Sequence, residues 1–150
     1  MKKLLLAVIV SLSTVTTAAL AEIKVGIILG FTGPIESLTP AMRDGAKMAF
    51  EEASNSGYLL GGETITVLEG DSTCADSAAG TAAAEDLVAQ GVSAIMGADC
   101  SGVTGAINAN VAVPNGILMV SPSATSPALS GINAVSYTHS DAADDLVGVD

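Results

Sequence analysis

Two short segments of the chain carry side chains that could bind a small anion. One spans residues 99–102 (Asp-Cys-Ser-Gly) and the other spans residues 121–125 (Ser-Pro-Ser-Ala-Thr). Hydroxyl groups beside the free backbone N–H groups of a helix N-terminus form a cradle that suits a carboxylate. Helix capping explains each hydroxyl taken alone, but two such segments after neighbouring strands favour a binding site for a small anionic group.

Patterns for catalysis are weak in this sequence. His139 is the only histidine, and no G-x-S-x-G motif offers a nucleophile for a Ser/His/acid triad. Neither H-E-x-x-H nor a P-loop is present. Gly26, Gly30 and Gly33 miss the dinucleotide spacing, although Asp71 could imitate a ribose-binding acid. These features favour a binding protein without a cofactor; the alternative from another class is an exported α/β enzyme whose catalytic half lies elsewhere.

The two cysteines, Cys74 and Cys100, allow a disulfide, a metal site or a catalytic thiol. A single histidine and the long spacing between the cysteines disfavour zinc, so no metal is expected. An oxidising compartment would favour the disulfide. A bridge closing this loop contributes about 3–4 kcal/mol in the chain-entropy model.

The N-terminus is typical of a secretory signal peptide. Lys2 and Lys3 precede an apolar stretch at residues 4–10, and Ala19-Leu20-Ala21 resembles a cleavage site. The apolar stretch is far shorter than the roughly 20 residues that span a membrane. No cysteine stands directly after the expected cleavage site, so a bacterial lipid anchor is not indicated. We therefore expect residues 1–21 to be removed on export and the mature chain to begin at Glu22.

The mature chain is acidic and apolar. Without residues 1–21, 129 of the 150 residues remain, and three cations against 16 acids give a formal charge of −13. This charge disfavours nucleic acid as a partner, because phosphate binding needs a basic surface. The hydrophobic content of the whole 150-residue chain, 49%, is too high for intrinsic disorder, and the length suggests a single domain.

Strand and helix patterns alternate along the mature chain. The predicted strands are 23–29, 63–69, 92–96, 116–120 and 132–137; the predicted helices run from Thr39 to Gly57, from Asp76 to Gly91, from residue 100 or 101, from Ser126 and from Ser140. The nearly continuous apolar run at 23–29 is typical of a strand buried on both faces of a parallel sheet. The alternation predicts an α/β fold with a doubly wound parallel sheet in a three-layer α/β/α sandwich.

Local signals predict where these helices begin and which face they bury. Thr39 is expected to cap the first helix and Asp76 the second. Ala79, Ala83 and Leu87 recur at helical spacing and are expected to face the sheet. Ligands bind such sheets beyond the carboxyl ends of the strands, near the reversal of strand order. This rule selects the loops at 30–38, 98–102 and 121–125, which include both hydroxyl-rich segments.

Four segments, in this order and spacing, resemble a known family. They are Ile23 to Gly26 leading to Thr32-Gly33-Pro34, Asp71 to Cys74, Gly97 to Ser101, and residues 116–127. On these segments the chain resembles the type I periplasmic binding proteins, specifically the leucine/isoleucine/valine-binding family of ABC transport systems. The resemblance covers residues 22–150.

The resemblance implies a set of ligand contacts. In that family two α/β lobes close over an amino acid, and the first lobe holds its α-carboxylate and α-ammonium groups. By position, Ser101 and Thr125 would bind the carboxylate, and Ser123 would offer its carbonyl oxygen to the ammonium. Three further residues complete the expected site: Cys100, Ala124 and Leu38, the last standing where some members place a tyrosine. Cys74 and Cys100 fall where some members have a disulfide.

The resemblance also implies an organisation and a function. Residues 22–138 would form the first lobe, and residues 139–150 the crossover and the start of a second, truncated lobe. The protein would be a periplasmic monomer that captures a branched-chain or related amino acid and delivers it to an inner-membrane ABC permease. A receptor of the same fold for amides, urea or aromatic acids is the alternative within this class.

Overall fold

The computed structural model describes residues 22–59 and 62–132, together with the backbone of residues 136–138. The predicted signal peptide at 1–21 and the predicted crossover at 139–150 lie outside the described residues. Ser140, predicted to cap a last helix, also lies outside them.

Five parallel strands form one sheet. They are β1 (Ile23–Leu29), β2 (Ile65–Asp71), β3 (Ala94–Gly97), β4 (Leu118–Ser121) and β5 (Ser136–Thr138), in the spatial order β2-β1-β3-β4-β5. The chain moves from β1 outward to β2 and then returns past β1 to β3, so the sheet is doubly wound as predicted. Ile27, Ile28 and Leu29 are fully buried, which explains the continuous apolar run of the central strand.

Helices cover the sheet on two faces. The main helices are α1 (Thr39–Asn55), α2 (Ser77–Ala89) and α3 (Ser101–Ile107); α3 continues through a π-helical segment (Asn108–Ala112) and a short α-helical turn (Val113–Asn115), and a 3₁₀ turn (Pro127–Gly131) follows β4. Helices α2 and α3 pack together over Ile28, Ile95 and Met119 of the sheet. Phe50 of α1 lies on the opposite face, where alternate strand residues such as Met96 line the same cavity. The predicted three-layer sandwich is confirmed.

Three strands begin two residues later than predicted, each for a local reason. The predicted start of β3, Val92, donates its N–H to Leu87 O and so closes the end of α2. In the same way Ile117 donates to Ala112 O and closes the helical segment before β4. The predicted start of β2, Glu63, donates its N–H to Leu59 O and so closes the turn that precedes the strand. An apolar pattern cannot separate a residue that pairs in a sheet from one that closes a helix.

The helix caps were predicted with mixed success. Asp76 caps α2 as predicted, since its carboxylate accepts from Ala78 N at 2.8 Å and Ala79 N at 3.1 Å. The prediction for Thr39 was wrong, because Leu38 is the N-cap and Thr39 is already helical. The Thr39 hydroxyl donates instead to Glu36 O at 3.1 Å, within the preceding turn.

The buried stripe of α2 lies one residue away from the predicted one at two of three positions. Gly80, Ala84 and Leu87 are buried, whereas Ala79 and Ala83 are only half-buried. The helix therefore rests on α3 as well as on the sheet: a Cβ added at Gly80 would overlap Cγ1 of Val103. The small residue at this point lets the two helices approach closely.

Candidate functional site

The predicted loops meet at the carboxyl edge of the sheet. Strands β1, β3 and β4 are neighbours, and the chain leaves them through residues 30–38, 98–100 and 122–126. The reversal of strand order falls between β1 and β3. The site predicted from the sheet rule is therefore a single edge at which all three loops lie side by side.

Hydrogen bonds tie the loop after β4 to the loop after β3. The buried Ser121 hydroxyl donates to Ala98 O and accepts from Ala124 N at 2.9 Å. The Ser123 hydroxyl donates to Asp99 O at 2.8 Å. Ala124 is buried, and its role as a ligand contact stays a prediction. The 123 carbonyl takes no part in these bonds, so it can accept a hydrogen bond from a ligand.

Ser101 stands at the start of α3, with Cys100 as the N-cap. Its hydroxyl oxygen accepts from Ser126 N at 3.2 Å, so its proton can be donated to a further acceptor. Thr125, on the adjoining loop, is exposed. The loop contacts thus place Ser101 and Ser123 at one edge, and Thr125 lies in the chain between Ser123 and Ser126. Their role as ligand contacts stays a prediction.

Leu38 lies apart from these bonds. It is the N-cap of α1 at the end of the first loop, and its side chain is 57% exposed. Its role as a ligand contact stays a prediction.

Asp99 and Ser72 are central to this edge, although the sequence assigned them no role. Asp99 is 3% exposed and accepts from Gly30 N at 2.7 Å and from the Ser72 hydroxyl at 3.1 Å. Ser72 is fully buried. An acidic residue two positions after a buried strand was a usable signal for Asp99, whereas nothing in the local sequence marks Ser72.

A second acid, Asp71, joins the loops after β1 and β2. Its carboxylate accepts from Thr32 Oγ1 at 2.6 Å, from Thr32 N at 3.3 Å and from Thr73 N at 2.8 Å. Partial burial alone would raise the pKa of Asp71, but these hydrogen bonds to the charged form hold it below its ordinary value. The carboxylate form is therefore the one that fixes the two loops.

We expect Asp71 to stabilise the fold at neutral pH and to lose this effect in acid. Because its folded pKa is depressed, its contribution is complete above the unfolded pKa of about 3.9 and falls as the pH drops through the folded value. The difference in unfolding free energy between wild type and Asp71→Asn should therefore shrink below that pH. Thr32→Val should move the Asp71 pKa, followed by carboxyl NMR titration, back upward; an unchanged titration would contradict the assignment.

Cys74 and Cys100 are joined as a disulfide, with their Cα atoms 5.3 Å apart. The bridge links the turn after β2 to the N-cap of α3, one residue before Ser101. Thr73 and Cys74 both have positive φ, at 53° and 62°, so this turn is held in a conformation that such residues rarely adopt. The disulfide braces the binding edge from the side opposite the β4 loop.

Replacing both cysteines by serine should lower the unfolding free energy by about 3–4 kcal/mol, since the bridge closes a loop between residues 26 apart in sequence. Urea denaturation of the complete protein measures this, with reductant-treated wild type as the matched comparison. Equal stability of the oxidised and serine forms would contradict the prediction.

Positive side chains do not take part in this edge within the described residues. Arg43 pairs with Asp44 and Lys47 with Glu69, and Lys24 donates to Gln90 O at the end of α2. The described part of the chain contains no cluster of three metal-ligating side chains. It also contains no helix that is long and apolar enough to cross a membrane. An anion at this edge would be held by neutral hydroxyl and N–H donors.

The fold and this edge define a class of structure: a doubly wound α/β sandwich with neutral hydroxyl and N–H donors at the carboxyl ends of its strands. Residues 22–149 match a family model described as periplasmic binding protein. Relatives include the Leu/Ile/Val-binding protein BraC3 of Rhizobium johnstonii, 32% identical over 128 residues, or 85% of this chain and 34% of the relative. The leucine-specific-binding protein of Salmonella typhimurium is 31% identical over the same shares of the two chains.

Solved structures agree in fold. The branched-chain amino acid transporter substrate-binding protein LivJ of Streptococcus pneumoniae, in complex with isoleucine, has a TM-score of 0.70 and 30% identity, covering 79% of this chain and 33% of that one. An ABC transporter substrate-binding protein of Desulfitobacterium hafniense, in complex with leucine, has a TM-score of 0.66 and 25% identity, covering 79% and 34%.

This chain belongs to the periplasmic binding protein family, which confirms the resemblance found in the sequence. Its relatives and structural neighbours are branched-chain amino-acid binding proteins. The chain spans about a third of the length of the curated relatives it matches.

Proposed function

We propose that residues 22–138 are the first lobe of a solute-binding protein that captures a branched-chain or related amino acid for an ABC import system. The observation that carries this proposal is the edge where the loops with Ser101, Ser123 and Thr125 lie side by side, with no cationic side chain among the described residues. It is supported by the relatives, named for leucine, isoleucine and valine, and by neighbours solved with isoleucine or leucine.

Each of these residues has a part in holding the amino-acid head. The Ser101 hydroxyl, with its oxygen already accepting from Ser126 N, directs its proton to the ligand carboxylate. The Ser101 N–H, at the first turn of α3, adds a second donor to the same group. Thr125 supplies a hydroxyl from the facing loop. The carbonyl of Ser123 accepts from the ligand ammonium, so the two charged groups of one zwitterion meet opposite partners.

Binding by closure of two lobes follows from this arrangement. One edge of a sheet covers one side of a ligand only, and the residues matched to this chain make up only 34% of each relative. We assign residues 139–150 to the crossover into a second lobe, which would supply the remaining contacts and the selection of side chain. The lobe performs no chemistry on its ligand in this proposal.

Location and partners follow from the same assignment. Residues 1–21 act as a cleaved signal peptide, so the mature protein works in the periplasm, as the family description suggests. There it acts as a monomer that hands its ligand to an inner-membrane ABC permease. Oxidising conditions in that compartment favour the Cys74–Cys100 disulfide.

Calorimetric titration of the complete mature protein tests the proposal. Leucine, isoleucine and valine should bind, whereas 4-methylpentanoate, which is leucine without its amino group, should bind much more weakly. Acetamide, urea and benzoate probe the alternative receptors of the same fold. Binding of a sugar or nucleoside, with no amino acid bound, would overturn the proposal.

A further inference from the structure

Asp99 follows β3, and it is the one residue of the described chain to which we trace bonds from the ends of the three other strands around the site. Its carboxylate accepts from Gly30 N after β1 and from the Ser72 hydroxyl after β2. Its own carbonyl, after β3, accepts from the Ser123 hydroxyl after β4. The loops that must present the ligand donors are therefore all held in place by hydrogen bonds to this residue.

These bonds form a closed ring with the disulfide. The Ser72 hydroxyl that donates to Asp99 lies 3.4 Å from Cys74 N, which donates to it. Cys74 is bonded to Cys100, and Cys100 follows Asp99 in the chain. The ring leaves the segment 99–101 little freedom to shift relative to β2, which fixes the start of α3 and with it Ser101.

The loop after β1 passes close to Asp99 and Cys74 at Gly30. A Cβ added at Gly30 would lie 3.3 Å from Asp99 Oδ2 and 3.1 Å from Cys74 Cβ. Glycine at this position lets the backbone N–H reach the carboxylate directly. Because Asp99 is 3% exposed, a side chain without acceptors would leave the Gly30 N–H and the Ser72 hydroxyl buried without these partners.

We propose that Asp99 is a positioning residue for ligand binding, which holds Ser101 and the Ser123 turn in their binding geometry before the ligand arrives. This inference rests on the proposed function. Asp99 does not contact the ligand itself. It acts by keeping the four loops ordered. Loops already ordered lose less entropy on binding, so affinity is higher than with loops that must be ordered by the ligand.

The test compares two substitutions in the complete protein, with leucine as the probe. Asp99→Leu removes both acceptors and should raise Kd at least about tenfold, with a more unfavourable binding entropy. Asp99→Asn keeps an acceptor for Gly30 N and a polar partner for the Ser72 hydroxyl, so its Kd should stay within about threefold of wild type. Ser72→Ala, which removes one of the two donors, should weaken binding by a few-fold and provides the measurement if Asp99→Leu does not fold.

Val92→Ala is the matched control for general destabilisation. Val92 is buried beside the amino end of β3, at the opposite edge of the sheet, so its truncation should lower Tm while leaving Kd unchanged. Wild-type binding with an unchanged Kd in Asp99→Leu or Ser72→Ala would overturn the inference and leave the proposed function standing. A Kd raised equally in Val92→Ala would also overturn it. A wild type that binds no amino acid would overturn both.

Discussion

Gly97→Ala is expected to destabilise the complete protein by about 2–6 kcal/mol. Gly97 ends β3 with φ at +133°, a conformation that side chains with a Cβ rarely adopt. A Cβ there would overlap the carbonyl oxygen of Ile28, a backbone atom of the central strand that pairs with β3. Overpacking and backbone strain each cost about 1–3 kcal/mol, and here they act together on a domain whose total stability is about 5–15 kcal/mol.

Thermal unfolding followed by circular dichroism measures the effect. Gly97→Ala should lower Tm by about 5–20 °C, since each kcal/mol lost shifts Tm by about 2–4 °C in a domain of about 150–250 residues. Gly45→Ala is the matched control, since Gly45 lies inside α1 with no atom within 4 Å of an added Cβ. That substitution should leave stability equal or raise it by about 0.5–1 kcal/mol. A wild-type melting curve for Gly97→Ala would contradict the structure at the point where β1 meets β3.

Gly97 also shows what the sequence could and could not predict. The alternation of apolar runs was sufficient for the layers, and the sheet rule was sufficient to select the three site loops, because both depend on patterns within single segments. The approach of Gly97 to Ile28 depends on the pairing of two strands far apart in sequence. From the sequence alone, a glycine at the end of a strand predicts only a turn. Its close contact with Ile28 becomes evident once the pairing of β1 with β3 is known.

The polar side chains also divide into those whose role depends on neighbours in the chain and those whose role depends on distant strands. Asp76 was predicted as a cap because its partners, Ala78 and Ala79, are its chain neighbours. The role of Asp99 was not predicted, because its partners Gly30 and Ser72 lie 69 and 27 residues away. Local rules thus predict local bonds, while the buried bonds that shape the site appear only when the strands are placed side by side.

Ser101→Ala combined with Thr125→Ala should abolish measurable amino-acid binding while the complete protein stays folded. Each substitution removes a hydroxyl proposed to donate to a charged carboxylate, and such bonds contribute about 1.5–3 kcal/mol each. Losing both should raise Kd by about 10²–10⁴-fold. Stability should change little, because Thr125 is exposed and the Ser101 hydroxyl accepts only the Ser126 N–H among the bonds described. Titration with leucine and a melting curve measure the two effects separately.

Thr64→Ala with Ser93→Ala provides the matched control for this double substitution. These exposed hydroxyl residues lie before β2 and β3, at the opposite edge of the sheet, so their loss should leave Kd unchanged. Ser101→Thr keeps a hydroxyl and should retain part of the affinity that Ser101→Ala loses. A wild-type Kd in the Ser101/Thr125 double variant would exclude both hydroxyls from the site. Since no cation lies at this edge among the described residues, the carboxylate would then have to be bound by backbone N–H groups or by residues outside this lobe.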